Sequence, residues 1–421
     1  MGIQTGYIKF NEYVLLHEND EILAQPHTIN ADPPMKFPQG IMRISEAFKK
    51  AKEVPIGKEI DPKAGGEKDV TLKAKKLFIV GDAVTSYLMG KTPHHYELVT
   101  DAHPDEVEKI LTHARPAIRV LKKDPKKGVI RCNVDGETYD IGTLKKHNDE
   151  DPDNGVFTTN PADDSLMRDM TISALYYDVM ANKITDHVGG LRHLKDGVVK
   201  SIGKPDEMLG KNGMSKFKAA KLANVMPNGK LDPEMKAAIN QHHGEHDPEE
   251  IRQEFIDGLE HRDTDVVRYI KTYQELGLLD VVFPKLELNL DFPEGTKLGK
   301  CRALVLAWLL KKNKPQKLVA RLKELKYTDR EIKDAVFLIN LLVFSPEYAY
   351  DFYKEKVQVS LSRRQVMDWV RLNHLNEDMI EKLMDWQFSP ASVSGDGQDA
   401  EGHGKAIRHQ AAQEFRKHLR A

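Results

Sequence analysis

The sequence predicts an α+β protein in which a mixed-sheet region comes first and a purely helical region follows. Short apolar runs separated by turn residues occur up to about residue 200, and beyond it apolar positions recur three and four residues apart. With 421 residues, the chain is too long for one ordinary core, so several domains in series are expected. Its 40% hydrophobic and 30% charged residues are typical of a globular protein rather than a disordered one.

Charge and cysteine content limit the class of protein further. The formal net charge of -2 means that binding to a nucleic acid has to depend on local patches of Lys and Arg. Cys132 and Cys301 lie far apart in no metal-like spacing, which predicts a reducing compartment, by default the cytoplasm. No stretch approaches the roughly 20 apolar residues of a membrane span, and the amino terminus lacks an export signal pattern, so no membrane partner is expected.

Residues 1–74 are interpreted as a leader of unknown role. A single helix is predicted over 44–53, and the Gly-, Pro- and Lys-rich residues 54–69 are expected to form a loop. Docking of a protein partner is one hypothesis for this leader.

Strand and helix patterns begin to alternate at Lys75. The apolar run KLFIV, the turn residue Gly81 and the helical pattern AVTSYLMG come first. YELVT then predicts a second strand, PDEVEKILTHA a helix, and VIRCNV and ETYDIGTL two strands joined by Asp135-Gly136. Beyond residue 200, segments such as PEEIRQEFIDGLE and DREIKDAVFLINLLVF predict helices throughout.

Several motifs follow one another in a recognisable order: FIVGDAVTSYLMGKTPHHYELVTDA (78–102), YDIGTLK (139–145), MRDMTISALYYD (167–178) and DHVGGLRHLKDGVVKSIGKPDE (186–207). They resemble the motifs of class II tRNA nucleotidyltransferases, the CCA-adding enzymes, and of bacterial poly(A) polymerases. The family's first motif has a Gly-Gly turn, an Arg-Asp pair and an Asp-x-Asp. This resemblance implies a polymerase β-like nucleotidyltransferase head at 75–205, a helical neck and body at 206–290, and a helical tail at 291–421.

The resemblance also implies a metal site. Phosphoryl transfer to an RNA 3′-hydroxyl uses two divalent cations about 3.5–4 Å apart, and carboxylates on one strand face hold Mg²⁺ best. In this chain the Asp-x-Asp pair falls on His95 and Glu97, expected on one face of the second strand, and Asp140 fills the third-carboxylate position. Since imidazole is a poor magnesium ligand, Glu97 and Asp140 are the candidate metal ligands and, with His95, the candidate catalytic residues.

Nucleotide binding is assigned by resemblance to three further places. At the phosphate turn, Asp82 follows Gly81 where the family has a second Gly, which adds an anion next to the triphosphate. Arg168 and Asp169 match residues near the nucleotide sugar. The family's base-selecting Glu-Asp-x-x-Arg is replaced by a run that contains neither a carboxylate nor an arginine, and its candidate contacts are Asn212, Ser215, Lys218 and Lys221.

Two functional hypotheses remain open. The first is a divergent RNA 3′-end nucleotidyltransferase, with Mg²⁺ if active, whose partners are tRNA or another RNA 3′ end and a nucleoside triphosphate. The second is a catalytically inactive scaffold that binds RNA or has a structural role; in that case Glu97 is a solvated edge residue and Arg168-Asp169 a helix-start pair. Changes at several motif positions favour loss or alteration of templated CCA addition, because each should lower the rate.

Overall fold

The computed structural model describes residues 26–60, 67–148, 150, 155–242, 244, 246–293, 298–390 and 400–420. They fall into two compact units. The first contains the residues up to Ser215 together with Met226–His242, and the second contains Lys216–Val225 and the residues after His242. The fold class is α+β, as predicted. Among the described residues, no helix is long and apolar enough to cross a membrane.

The first unit is built on an eight-stranded mixed sheet. The strands, in chain order, are β1 (His27–Asn30), β2 (Pro55–Ile60), β3 (Glu67–Thr71), β4 (Leu77–Val80), β5 (Glu97–Thr100), β6 (Arg119–Asp124), β7 (Val129–Val134), β8 (Glu137–Thr143), β9 (Lys145–Lys146), β10 (Val156–Phe157), β11 (Leu175–Asp178), β12 (Lys183–Asp186), β13 (Val198–Val199) and β14 (Lys230–Leu231). The large sheet has the order β1-β12-β11-β4-β5-β8-β7-β6. Within it β5 and β8 run parallel, and the other neighbouring strands are antiparallel.

Helices pack against this sheet and make up most of the second unit. In chain order they are α1 (Gln39–Lys49), α2 (Asp82–Leu88), α3 (Pro104–His113), α4 (Pro161–Ser165), α5 (Gly190–Lys195), α6 (Pro205–Lys211), α7 (Ser215–Val225), α8 (Pro233–Gln241), α9 (Pro248–Glu260), α10 (Val266–Glu275), α11 (Leu278–Val282), α12 (Arg302–Leu310), α13 (Pro315–Glu324), α14 (Asp329–Leu341), α15 (Ala349–Lys356), α16 (Arg363–Leu372), α17 (Glu377–Asp385) and α18 (Ala400–Arg420). Short 3₁₀ turns lie at Ala51–Glu53, Thr171–Ser173 and Pro346–Tyr348.

The predicted strands β4, β5, β7 and β8 and the helices between them are confirmed, but two predictions within the leader are wrong. Residues 55–60 and 67–69, predicted as part of a loop, belong instead to β2 and β3, which pair antiparallel, and residues 61–66 of that predicted loop lie outside the described residues. The β2–β3 hairpin forms its own two-stranded sheet and is rich in charged residues, so it lacks the apolar alternation that would have revealed it. The helix predicted over 44–53 begins earlier, at Gln39 after Pro38, and ends at Lys49.

The leader also contributes to the large sheet. Strand β1 pairs with β12, with His27 opposite Asp186, and forms one edge of the sheet. Helix α1 packs against α3, and Arg43 of α1 forms an ion pair with Asp135 of the β7–β8 turn. The first unit therefore extends across the boundary predicted at residue 75. Docking of a partner through residues 1–74 stays a prediction.

Two neighbouring tyrosines distinguish the two faces of the sheet. The Tyr177 ring lies 5.9 Å from the Tyr87 ring of α2, so Tyr177 marks the face that carries α2. Because successive strand residues point to opposite faces, Tyr176 lies on the other face, here called the site face. Tyr176 packs there in a buried cluster with Phe78, Val80, Val99 and Leu144.

The second unit is helical, as predicted. Helix α12 is buried at every position from Ala303 to Leu310 and packs against α14. Aromatic rings fill the space between helices, for example Trp308 against Trp369 at 6.5 Å and Phe255 against Tyr273 at 5.4 Å. Trp308, Trp369 and Trp386 are all buried, so the three tryptophans are core residues.

One side chain of the second unit is buried without a hydrogen-bond partner among the described residues, which lowers the free energy of unfolding. Lys216 of α7 is only 1% exposed, and its Nζ has no hydrogen-bond partner among the described residues. The nearest aromatic group is the Phe217 ring, 5.5 Å from Nζ. Burial lowers the pKa of the Lys216 amine, because a charged ammonium is poorly solvated there.

We predict that Lys216→Met raises the free energy of unfolding by about 1–3 kcal/mol, since Met fills a similar volume without an unpaired polar group. The pKa of Lys216 is lower in the folded than in the unfolded state, so protonation favours unfolding. The gain is therefore largest near neutral pH and shrinks as the pH rises towards about 10.4, the unfolded value. Urea unfolding at several pH values measures it.

Lys218→Met in the same helix is the matched control, because Lys218 is partly exposed. A change within about 0.5 kcal/mol is expected there. Destabilisation by Lys216→Met would show that the amine has a favourable partner in solution.

Candidate functional site

Five side chains form a row across the site face of the sheet. Val80 of β4 is opposite Glu97 of β5, and Arg131 of β7 is opposite Asp140 of β8. The parallel β5–β8 register pairs the residues that follow Glu97 and Asp140, so these two carboxylates occupy adjacent positions. The β11–β4 register extends the row to Tyr176. Residues in register share a face, so the row reads Tyr176, Val80, Glu97, Asp140, Arg131.

Glu97 is held by a buried arginine. Nη2 of Arg168 donates to Oε1 of Glu97 at 3.1 Å, and Nε of Arg168 lies 3.4 Å from Oδ2 of Asp164 in α4. The Tyr176 hydroxyl donates to the same Asp164 oxygen at 2.5 Å and accepts from Nε of Arg168 at 3.1 Å. Asp164 also accepts the backbone N–H of Lys145 at 2.8 Å. These contacts connect α4, β5 and β11 through one guanidinium.

Burial is uneven within this network. The Arg168 side chain is 15% exposed, whereas the Glu97 side chain is 50% exposed. Burial lowers the pKa of the Arg168 guanidinium, but the adjacent Tyr176, Glu97 and Asp164 outweigh burial and leave that pKa raised. Burial also raises the pKa of the Tyr176 hydroxyl, which keeps it a neutral donor. Arg168 therefore stays charged and fixes the position of Glu97.

Asp140 has its own arginine. Nε and Nη2 of Arg131 donate to the two carboxylate oxygens of Asp140, each at 2.7 Å. Such bidentate pairing is the strongest geometry for an arginine and a carboxylate. The hydrogen bond from Arg131 holds the pKa of Asp140 below its usual value, although partial burial opposes this. Each oxygen of Asp140 thus accepts one hydrogen bond from Arg131.

The two carboxylates are drawn in opposite directions. Arg131 lies on β7, beyond β8, whereas Arg168 contacts Tyr176 on β11, beyond β4. Among the described residues, no group of three or more His, Cys, Asp or Glu side chains is arranged to hold a metal ion. Magnesium requires several oxygen ligands, and here each candidate carboxylate faces a guanidinium. The donor set does not fit a magnesium pair.

The expectation that His95 and Glu97 share one strand face is wrong. Strand β5 begins at Glu97, so His95 lies in the exposed segment before it. Tyr96 ties this segment to the leader by donating its hydroxyl hydrogen to the carbonyl oxygen of Lys36 at 3.1 Å. Strand alternation consequently does not place the imidazole beside the Glu97 carboxylate.

The turn at Gly81, which the sequence predicts to bind phosphate, lies beside Glu97. Gly81 has φ +73°, which disfavours any residue with a side chain, and a Cβ at this position would lie 3.2 Å from Oε2 of Glu97. Asp82 is the first residue of α2 and Thr85 of the same helix is buried. The turn has the expected backbone shape, but it carries a carboxylate where backbone N–H groups would face phosphates.

The remaining candidates are not members of the carboxylate row. Nδ2 of Asn212 donates to Oδ2 of Asp169 at 3.4 Å, so these two polar side chains meet. Ser215 is fully buried, and its Oγ has no hydrogen-bond partner among the described residues. Lys218 and Lys221 are partly exposed on α7 in the second unit. Nucleotide contacts of these residues stay predictions.

Three side chains that hold the site were missed at the sequence level: Arg131, Asp164 and Tyr176. One of them had a usable signal. The two-residue turn at Asp135-Gly136 fixes the β7–β8 register and with it the opposition of Arg131 and Asp140. The contacts of Asp164 with Tyr176 and Arg168 depend on the path of the chain around α4, which no local pattern predicts.

Comparison with known proteins agrees with this architecture. Residues 77–200 match the family model of the poly(A) polymerase head domain. The chain is 25% identical over 338 residues to a CCA-adding enzyme of Lactobacillus johnsonii, covering 76% of this chain and 79% of that enzyme. It is 26% identical over 173 residues to poly(A) polymerase I of Salmonella typhi, covering 38% of this chain and 36% of that protein. The chain thus spans about a third of that polymerase.

Solved structures show the same fold at low sequence identity. A CCA-adding enzyme in its apo form II matches with a TM-score of 0.62 at 14% identity, covering 92% of this chain and 95% of the other. A Thermotoga maritima CCA-adding enzyme complexed with tRNA matches with a TM-score of 0.58 at 14% identity, covering 92% and 95%. Taken together, these findings show that residues 77–200 match the poly(A) polymerase head domain and that the chain is similar in sequence and fold to CCA-adding enzymes and poly(A) polymerases.

Proposed function

We propose that this protein is a divergent RNA 3′-end nucleotidyltransferase-like protein that still binds RNA but has lost standard templated CCA addition. The observation that carries the proposal is the pairing of each candidate carboxylate with an arginine. Asp140 is held by Arg131 through two 2.7 Å hydrogen bonds, and Glu97 by Arg168 through one of 3.1 Å. A divalent cation at this place would have to compete with both guanidinium groups for the two carboxylates.

Changes at the nucleotide end support the same proposal. Asp82 adds negative charge to the turn where a triphosphate would bind, which is unfavourable without a compensating cation. Asn212 takes part in a hydrogen bond to Asp169 instead of presenting a carboxylate to a base. Selection of C and then A by a protein template needs directed donors and acceptors, and this run does not provide the family's pair.

RNA and nucleotide binding enter the proposal through the relatives. One related structure is a CCA-adding enzyme complexed with tRNA, and another is a Bacillus stearothermophilus CCA-adding enzyme in complex with CTP. We extend these ligand classes, an RNA 3′ end and a nucleoside triphosphate, to this chain. A reducing, cytoplasmic site of action is part of the proposal, since Cys132 and Cys301 are both free thiols.

A second candidate function is a slow transferase that uses one divalent cation at Glu97 and Asp140. The adjacent register positions of these residues on β5 and β8 favour it, because both carboxylates lie on the site face. Extension assays distinguish the two candidates.

We predict that the purified protein extends a tRNA ending before its CCA on the order of 10³-fold more slowly than the Lactobacillus johnsonii enzyme, if at all. The assay supplies each nucleoside triphosphate with Mg²⁺ or Mn²⁺ and measures labelled 3′ ends. Filter binding of the same tRNA should still show complex formation.

Glu97→Gln is the informative variant, because the amide keeps the shape of the side chain and removes its charge. If the wild-type protein extends the tRNA and Glu97→Gln does not, the result supports the one-cation transferase and overturns the proposed loss of activity. Absence of tRNA binding would overturn the RNA part of the proposal instead.

We further predict that Arg131→Met raises the pKa of Asp140 towards about 3.9 and increases uptake of Mn²⁺. In the wild type, Arg131 holds this pKa low, so the stabilisation by the pair is present above about 3.9 and is lost as pH falls through the folded value. Carboxyl ¹³C shifts of labelled Asp follow the titration, and electron paramagnetic resonance follows Mn²⁺.

Arg119→Met provides the control. Arg119 is an exposed residue of the neighbouring strand β6, and its substitution removes the same charge. An unchanged Asp140 titration in Arg131→Met would mean that the ion pair does not exist in solution.

A further inference from the structure

A separate cavity of about 370 Å³ lies on the site face, on the β1 side of the carboxylate row. Its floor is formed by Phe78 and Tyr176, and its walls include residues of β1, β11 and β12. This volume is within the range of about 300–1,000 Å³ that small-molecule sites occupy. The candidate residues Glu97, Asp140 and Arg168 are not among its lining residues.

Two ammonium groups mark one end of the cavity. Lys183 is opposite Asp178 in the β11–β12 register, and Lys76 directly precedes β4 near the same end of the sheet. Both lysines are exposed, and neither forms an ion pair within the part of the chain that the structure describes. Asp178 also lines this end, but its Oδ1 accepts the backbone N–H groups of Met180 and Ala181. The balance of charge at this end is positive.

Uncharged hydrogen-bonding groups mark the other end. The hydroxyl groups of Thr28 and Thr185 lie 3.2 Å apart across the β1–β12 pair. His187 follows, with its ring 5.9 Å from the Tyr176 ring. Its Nε2 is buried and has no hydrogen-bond partner among the described residues. A buried ring nitrogen without a partner is costly, and a ligand that fills the cavity can satisfy it.

The two ends are separated by about the length of a nucleotide. Lys183 begins β12 and His187 directly follows its last residue, so the two are separated by at most roughly 13 Å at about 3.3 Å per residue. The lining thus offers cations at one end, an aromatic floor, and hydroxyl and imidazole groups at the other. A ligand that complements it has an anionic group joined to a planar group with hydrogen-bonding edges.

We propose that this cavity binds a nucleoside phosphate, with the phosphate at Lys76 and Lys183 and the nucleoside towards Thr185 and His187. Thr28 and Lys76 lie outside the matched head-domain segment 77–200, and Thr28 comes from the leader. The inference goes beyond the proposed function and does not require RNA to bind at Glu97. The nucleotide is either free or part of an RNA strand.

The test is titration calorimetry of the full-length protein with AMP, CMP, adenosine, inorganic phosphate and a short single-stranded RNA. We expect Lys76→Ala/Lys183→Ala to weaken AMP binding on the order of tenfold, because two charge-assisted contacts are lost. Adenosine binding should change little. The control Lys73→Ala/Lys195→Ala removes the same charge from exposed positions outside the cavity and should leave AMP binding unchanged.

Imidazole ¹⁵N shifts locate the ligand independently of affinity. Nε2 of His187 should shift on addition of AMP in the wild type. Binding of mononucleotides supports a free nucleotide as the ligand, and binding of the RNA alone, weakened by the lysine variant, supports a strand phosphate. Failure of every nucleotide ligand to bind, or equal weakening by the control pair, overturns the proposal. Loss of tRNA binding with retained AMP binding would affect only the proposed function.

Discussion

The site depends on one buried cation, the guanidinium of Arg168. It contacts Glu97 of β5, Asp164 of α4 and Tyr176 of β11, three segments that are far apart in the sequence. A buried arginine needs such partners, because an unpaired charge in a protein interior costs several kcal/mol. The partners are therefore held in place as firmly as Arg168 itself. Tyr176 adds its packing in the apolar cluster of the site face, so the polar network and the core are joined at one ring.

Two guanidinium groups now occupy positions next to the two carboxylates of the sheet. This arrangement cancels charge within the protein, and the carboxylates are positioned without help from an external cation. The phosphate turn keeps its backbone shape at Gly81 but carries Asp82. The backbone thus has the fold of the solved CCA-adding enzymes, and the side chains that it carries determine the charge of the site.

Much of the sheet could be predicted because its strands are apolar and its turns carry Gly or Asp-Gly. The β2–β3 hairpin could not be predicted, because its charged and small residues lack the alternating apolar pattern of a strand. The place of β1 in the sheet could not be predicted either, because it depends on pairing with a distant strand, where Thr28 and Thr185 are 157 positions apart. Glu97 and Asp140 were found through the family motifs. The arginines that contact them were missed, because a motif describes only what a family shares. The contact of Arg131 depends on strand register, and the contacts of Asp164 depend on the path of the chain. His95 was misplaced, since the motif spacing does not reveal that β5 begins two residues later.

The edge position of β1 has a consequence for how the chain reaches its folded state. Strand β12 lies between β1 and β11, so its outer backbone groups are covered only by residues His27–Asn30. During synthesis, residues 27–30 can pair with β12 only after Lys183–Asp186 have been made. Contacts between residues so far apart in the sequence form slowly. Until they form, β12 presents unpaired N–H and C=O groups, which other chains can join. Pairing with β1 therefore closes this side of β12 to other chains and makes β1 the edge strand of the sheet.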